Sequence, residues 1–225
     1  MTGTAARLPD GRLHLQEGPI DLVIGAEGPA GAVQDAYAVA IRAFDGLLAG
    51  LAAELPLLRA PADDTPAAVQ GPVARRMVMA VHPHRTVFVT PMAAVAGAVA
   101  DHVLAAMVEG APGLTKAFVN DGGDIAFHLT PGTRLELGLG PDLTAPALAG
   151  SAAIPDSDLG DRPVVLEVGE LSEAEIEAAL DAGAAEAERM RAAGLIHAAA
   201  LALRGRWRVA AGDLPMRISA PAPRS

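Results

Sequence analysis

The amino-acid sequence predicts an α+β protein in which antiparallel sheets pack with helices. Two observations predict this class. Short stretches of alternating apolar and polar residues occur in pairs around glycine turns, which is typical of β-hairpins. Longer stretches between these pairs carry apolar residues at helical spacing. Hydrophobic residues make up 51% of the 225 residues, so the chain can bury a sizeable core.

We expect one domain over residues 1–215 and a loose tail over residues 216–225. A second arrangement stays open, in which two fused lobes at about residues 1–140 and 160–215 are joined by a linker. The linker is predicted at Ala145–Pro163, because this stretch shows no periodicity.

The first part of the chain predicts a hairpin followed by helices. Two short strands are expected at Arg12–Gln16 and Ile20–Ile24. Apolar residues then recur at helical spacing over Ala32–Leu55, and Pro56 is expected to end that helix. A shorter helix is predicted at Val73–Val81.

A helix rich in small residues is predicted to begin at Thr90. The hydroxyl of Thr90 can cap the helix, and Pro91 suits the first helical position, where its missing N–H costs nothing. Nearly every side chain over Met92–Ala100 is small, so another group can approach the backbone closely. That group is either a packed sheet or helix, or a ligand bound to main-chain N–H groups at the helix start.

A hairpin with a glycine turn follows. Its strands are predicted at Lys116–Asn120 and Asp124–Leu129, with Asp121-Gly122-Gly123 between them. The glycine N–H groups and nearby carboxylates would suit a ribose, a phosphate or a metal ion. Turns of this composition also occur without any functional role, and both interpretations stay open.

The last part of the chain predicts one more strand of this meander, a helix and a final hairpin. The strand is expected at Arg134–Leu139. A capping box at Ser172 begins the helix, which ends at Gly194. The final hairpin is expected at Ala198–Leu203 and Arg206–Ala210.

The small-residue helix, P-M-A-A-V-A-G-A-V-A-D, and the strand N-D-G-G-D-I together resemble the ApbE superfamily, the FAD:protein FMN transferases. The match is closer to an ApbE-related family of uncharacterised proteins, which also resembles this chain in G-P-I-D-L-V-I, S-D-L-G-D-R-P-V and G-L-I-H-A-A-A-L. The resemblance implies a T-fold-like architecture that binds FAD or FMN. It assigns the flavin nucleotide to Thr90, Pro91, Met92, Ala93, Gly97, Asn120, Gly122, Gly123 and Asp124.

Two departures from the transferase pattern bear on catalysis. The transferase lysine falls on Ala96, and the late A-D-A-x-A-T helix that supplies metal-binding Asp and Thr residues is absent. Asp101 and Asp124 are then the candidate magnesium ligands, and Asp156, Asp158 and Asp161 would be the first residues to consider for a replacement site.

Two functions therefore stay open. The first is an ApbE-related protein of unassigned role, whose fold binds a flavin nucleotide or a partner protein and in which the absent metal-binding segment argues against catalysis. The alternative is an active magnesium-dependent transferase that moves FMN from FAD to a threonine of an acceptor protein. No G-x-S-x-G motif is present, which argues against a nucleophilic hydrolase.

Charge and composition limit the partners. A net charge of −10 argues against a nucleic-acid or anionic-membrane surface. The chain has no cysteine, so it has neither a disulfide framework nor a thiolate metal site. Its first residues lack a signal-peptide core, so we expect a cytoplasmic protein. The oligomeric state is left open.

Overall fold

The computed structural model describes residues 3–86, 88–139, 150–155, 173–192, 199–203, 206–210 and 216–217. The chain divides into two compact units. The first comprises Met1–Thr130 with Arg162–Val165, and the second comprises Pro131–Asp161 with Leu166–Ser225.

The first unit is built on a five-stranded antiparallel sheet whose strands follow the order β1-β2-β3-β4-β5. The strands are β1 (Thr4–Arg7), β2 (Leu13–Glu17), β3 (Ile20–Glu27), β4 (Lys116–Asp121) and β5 (Asp124–Leu129). Both predicted hairpins are confirmed, and β1 is an addition that the sequence pattern did not indicate. β3 pairs with β4 although all the helices of this unit lie between them in the sequence.

Five helices of the first unit connect β3 to β4. They are α1 (Ala30–Phe44), α2 (Leu47–Ala53), α3 (Leu55–Leu58), α4 (Pro72–Val81) and α5 (Val95–Gly110). The single helix predicted over Ala32–Leu55 is wrong, because Gly46 takes a left-handed φ of 75° and separates α1 from α2. Pro56 lies in the first turn of α3 and does not end a helix.

The core of the first unit lies between the helices and one face of the sheet. Side chains from α1 and α5 pack there on alternate residues of β2, β3 and β4, as the two-residue period of a strand requires. Leu15, Leu22, Ile24, Val119, Val99 and Met107 are all fully buried in this core. Ala126 of β5 is also buried on the core face of the sheet. The opposite face of β5 carries the half-buried Ile125, Phe127 and Leu129.

The second unit contains two small sheets and a helix. Three antiparallel strands follow the order β10-β7-β6, with β6 at Arg134–Leu139, β7 at Gly150–Pro155 and β10 at Met216–Arg217. β8 (Ala199–Leu203) pairs with β9 (Arg206–Ala210), and both contact α6 (Glu173–Ala192).

Several predictions for this unit need correction. β6 pairs with β7 and not with β5, so it is not a third strand of the earlier meander. β7 lies inside the predicted linker, and β10 begins the predicted loose tail. Backbone pairing with distant segments forms both strands, and such pairing leaves little signal in a short stretch of sequence. The final hairpin and α6 are confirmed.

Two helical stretches of the described chain are long and apolar enough to cross a membrane, Ala30–Ala53 and Pro91–Gly110. A buried helix of a globular protein passes the same test, so this is weak evidence for a membrane span. In the second stretch, half of the most apolar window is buried within the protein. The α+β class with antiparallel sheets is confirmed, and the T-fold-like arrangement stays a prediction.

Candidate functional site

The carboxyl group of Asp124 connects the β4–β5 hairpin to the start of α5. It accepts a hydrogen bond from the backbone N–H of Gly97, in the first turn of that helix. Its atom Oδ2 is buried and has no hydrogen-bond partner in the described part of the chain. A buried acceptor without a donor costs about 1–3 kcal/mol of stability, so this oxygen is an unusual feature of the hairpin.

A second buried carboxyl group lies directly across the hairpin. Asp121 is the cross-strand neighbour of Asp124, and only 8% of its surface is exposed. Burial raises the pKa of Asp121 to about 6. A hydrogen bond from the backbone N–H of Asp21 lowers this pKa, whereas the negative charges of Asp124 and Asp21 raise it further. Burial also raises the pKa of Asp124 to about 6, against the hydrogen bond from Gly97. We call Gly97, Asp121 and Asp124 the Asp124 junction.

The glycine turn itself is used internally. Gly122 and Gly123 have φ values of 61° and 116°, which favour glycine in a two-residue hairpin loop. The N–H of Gly123 donates to Oδ1 of Asn120 at 2.9 Å. The idea that this N–H is free for a ligand is therefore wrong. Asn120 alternates with Asp121 along β4, so it lies on the sheet face opposite the Asp124 junction.

The start of α5 also differs from its prediction. Residues Pro91–Ala94 form a 3₁₀ turn before the helix, and the side chain of Thr90 makes no capping hydrogen bond. The carbonyl of Thr90 instead accepts the N–H of Ala93 at 3.0 Å. Ala93 packs in a small apolar cluster with Val81. Ala93, one residue of the predicted nucleotide site, therefore packs against Val81, while Gly97 contacts Asp124.

The two predicted metal ligands have other partners. Atom Oδ2 of Asp101 lies 3.7 Å from Nη1 of Arg76, and the Asp101 side chain is 15% exposed. Burial lowers the pKa of the neighbouring His102, and the charge of Arg76 lowers it further. Among the described residues, no group of three or more His, Cys, Asp or Glu side chains could hold a metal ion.

Magnesium prefers near-octahedral oxygen coordination. The two carboxylates of Asp101 and Asp124 do not provide such a set of oxygen ligands. Asp156, Asp158 and Asp161 lie outside the described residues.

A protein-family model described as AbpE bacteria matches residues 5–154 and 144–209 of the chain. The chain belongs to this family. No curated protein matches the sequence. The resemblance to the ApbE superfamily is therefore wrong, because the matching family is a different one and is not a family of FMN transferases. The two short motifs that suggested it have local structural roles, in the hairpin turn and at the contact between α5 and the sheet.

Sequence reasoning missed Asp121. The signal was available, because extending β4 by one residue places Asp121 on the same face as the buried Ala117 and Val119. A carboxyl group at a position that alternates with core residues is unusual, since charged groups are seldom buried without partners. The contact between Gly97 and Asp124 has no local signal, because it joins segments that are distant in the sequence.

Substitution of Gly97 tests the close approach of α5 to the hairpin. Gly97 is buried, so we expect Gly97→Leu to lower the free energy of unfolding by about 1–3 kcal/mol through overpacking. Gly50→Leu on α2 is the matched control, since nothing beyond its chain neighbours and its own helix backbone lies within 4 Å of an added Cβ there. Urea unfolding of both variants measures the difference, and equal stability of the two would show that Gly97 has room for a side chain.

Proposed function

We propose that this protein binds a nucleotide at the Asp124 junction and that Asp124 accepts a hydrogen bond from a sugar hydroxyl of the ligand. The observation that carries the proposal is the buried Oδ2 atom of Asp124, which lacks a partner in the described part of the chain. Carboxyl groups with raised pKa values are frequent at functional sites, and two of them lie side by side here.

The chemistry of the junction selects a hydrogen-bond donor over an anion. The carboxylate of Asp124 already occupies the N–H of Gly97, which is where a phosphate would otherwise bind at the helix start. With pKa values of about 6, both carboxyl groups are mainly ionised at neutral pH and repel a phosphate. A ribose or ribityl chain supplies hydroxyl donors without added charge.

A flavin nucleotide is the first ligand to test, since its ribityl chain carries several adjacent hydroxyl groups. We propose binding without group transfer. Transfer of FMN from FAD needs a firmly held cation to stabilise the charge that develops on the diphosphate, and the carboxylates of Asp101 and Asp124 face Arg76 and Gly97 respectively. Because Oδ2 is closed to solvent, binding requires a local rearrangement and should be slow.

The experiment begins with the nucleotide content of the purified protein, measured by absorbance and mass spectrometry after denaturation. Titration with FMN, FAD and AMP by calorimetry then gives affinities for the wild type and for Asp124→Asn. The amide keeps one oxygen for the N–H of Gly97 but loses the charged acceptor. We expect affinity to fall at least about tenfold, because a hydrogen bond to a charged group contributes about 1.5–3 kcal/mol.

Asp35→Asn is the matched control. Asp35 is exposed on α1, so the same chemical change there should leave the affinity unchanged. Nucleotide binding that Asp124→Asn does not weaken would move the site elsewhere. Failure of all three nucleotides to bind would overturn the proposal.

A further inference from the structure

A cavity of about 270 Å³ lies at the other end of β4 from the Asp124 junction. Lys116 begins this strand and Asp121 ends it, so the two sites are separated by its full length. Residues from the β1–β2 turn, the end of β3 and the beginning of β4 line the cavity. Its volume is close to the lower limit of ordinary ligand pockets, about 300 Å³, and therefore suits a small molecule. We call it the Phe118 cavity.

The ring of Phe118 lies against the backbone of Gly25 and lines the cavity. A Cβ atom added to Gly25 would lie 2.2 Å from Cε1 of that ring. Only glycine therefore allows the ring to approach β3 in this way. A half-buried aromatic ring held against a strand offers a stacking surface for another planar group, with a contribution of about 0.5–1.5 kcal/mol.

Two cations line the same cavity. A guanidinium nitrogen of Arg12 lies 2.7 Å from the Asp10 carboxylate, and Nζ of Lys116 lies 2.5 Å from Glu27. The Asp10 and Glu27 side chains are 51% and 63% exposed. The Lys116 side chain is only 21% exposed, but both carboxylates are open to solvent. Ion pairs that solvent reaches contribute only about 0–1 kcal/mol, so a ligand carboxylate can compete with them. Arginine and lysine also keep further N–H donors beyond those used in these pairs.

The turn that carries Arg12 is held in place by a second set of contacts. Both the Arg7 guanidinium and the Tyr37 hydroxyl donate to the carbonyl of Gly11. The Arg7 guanidinium also lies over the Tyr37 ring, 4.0 Å from its centroid. These contacts orient the wall of the cavity before any ligand arrives, which lowers the ordering cost of binding.

We infer that the Phe118 cavity binds a small aromatic carboxylic acid, whose ring stacks on Phe118 and whose carboxylate meets Lys116 and Arg12. A single negative charge suits the lining, in which each cation stands beside a carboxylate. A ligand with a diphosphate would place several negative charges beside Asp10 and Glu27. The inference is independent of nucleotide binding at the Asp124 junction.

The test uses 3-phenylpropionate, 3-cyclohexylpropionate and 3-phenylpropionamide as probes, with affinities from chemical-shift changes in amide NMR spectra. We expect 3-phenylpropionate to bind at least about fivefold more tightly than either of the other two, because only it offers both stacking and charge. If 3-cyclohexylpropionate binds as tightly as 3-phenylpropionate, the proposed stacking on Phe118 is wrong. If 3-phenylpropionamide binds as tightly, the proposed contact of the carboxylate with Lys116 and Arg12 is wrong. No binding of 3-phenylpropionate would overturn the whole inference.

Variants assign the site. Lys116→Gln and Phe118→Leu should each weaken 3-phenylpropionate binding at least about fivefold. Arg59→Gln, at an exposed position outside the cavity, should not weaken it, and neither should Asp124→Asn. Undiminished binding by both Lys116→Gln and Phe118→Leu would place the ligand elsewhere. If either variant fails to fold, the comparison of the three probes on the wild type still decides the inference.

Discussion

Gly28→Ala is expected to lower the free energy of unfolding by about 2–4 kcal/mol. Gly28 follows β3 and has a φ of 148°, a conformation that residues with a side chain rarely adopt. An added Cβ would also lie 2.9 Å from the carbonyl oxygen of Gly113 and 3.3 Å from Cα of Leu114. Both contacts are to backbone atoms, which cannot rotate away.

The position matters because two chain reversals meet there. The N–H of Thr115 donates to the carbonyl of Glu27 at 2.9 Å, so the turn into α1 lies against the turn that leads from α5 to β4. Displacing either turn would disturb the pairing of β3 with β4. The same substitution at Gly31 in α1 is the control, because no atom beyond its chain neighbours and its own helix backbone lies within 4 Å of a Cβ there.

Urea unfolding of the two alanine variants gives the comparison. Gly31→Ala should be neutral or stabilising by up to about 1 kcal/mol, since alanine restricts the unfolded chain more than glycine does. Equal unfolding midpoints for Gly28→Ala and the wild type would show that the two turns separate at little cost.

The second large effect concerns the two buried carboxyl groups. The double variant Asp121→Asn with Asp124→Asn should be more stable than the wild type by about 1–3 kcal/mol at about pH 8. The folded-state pKa values of about 6 exceed the values of an unfolded chain. Between these values the folded protein binds more protons than the unfolded chain, so wild-type stability falls as pH rises from about 4 to about 6 and stays reduced above.

The amides cannot ionise, so the variant lacks this loss of stability. Urea unfolding at about pH 4, 6 and 8 should show the difference between variant and wild type growing with pH and then levelling. The other carboxyl groups are common to the variant and the wild type, so their contribution cancels in this difference. Asp35→Asn controls for the general effect of removing a negative charge. A difference that is constant with pH would mean that the two carboxyl groups have ordinary pKa values.

A gain in stability of the double variant combined with a loss of nucleotide affinity in Asp124→Asn would have a clear meaning. Natural sequences keep destabilising residues where function requires them. The two measurements together would therefore separate a ligand-binding carboxyl group from one that merely tolerates burial.

Local patterns predicted the strands β2–β5 and the helices α4 and α5 of the first unit, but neither β1 nor the division between α1, α2 and α3. The alternation in β2, β3 and β5 and the glycine pair at Gly122 and Gly123 depend on neighbouring residues only, so a short stretch of sequence contains the information. The break at Gly46 was missed because the apolar period continues through it, although the backbone there is left-handed.

By itself, the sequence determined the α+β class, the two hairpins of the first sheet and the run of small residues at the α5 start. The tertiary structure alone decided that Gly97 donates to Asp124, that Phe118 rests on Gly25 and that burial raises the pKa values of Asp121 and Asp124 to about 6. The physical reason is that strand periodicity is a local property, whereas desolvation and hydrogen bonding depend on which distant segments meet. Here β3 pairs with β4 although five helices lie between them in the sequence.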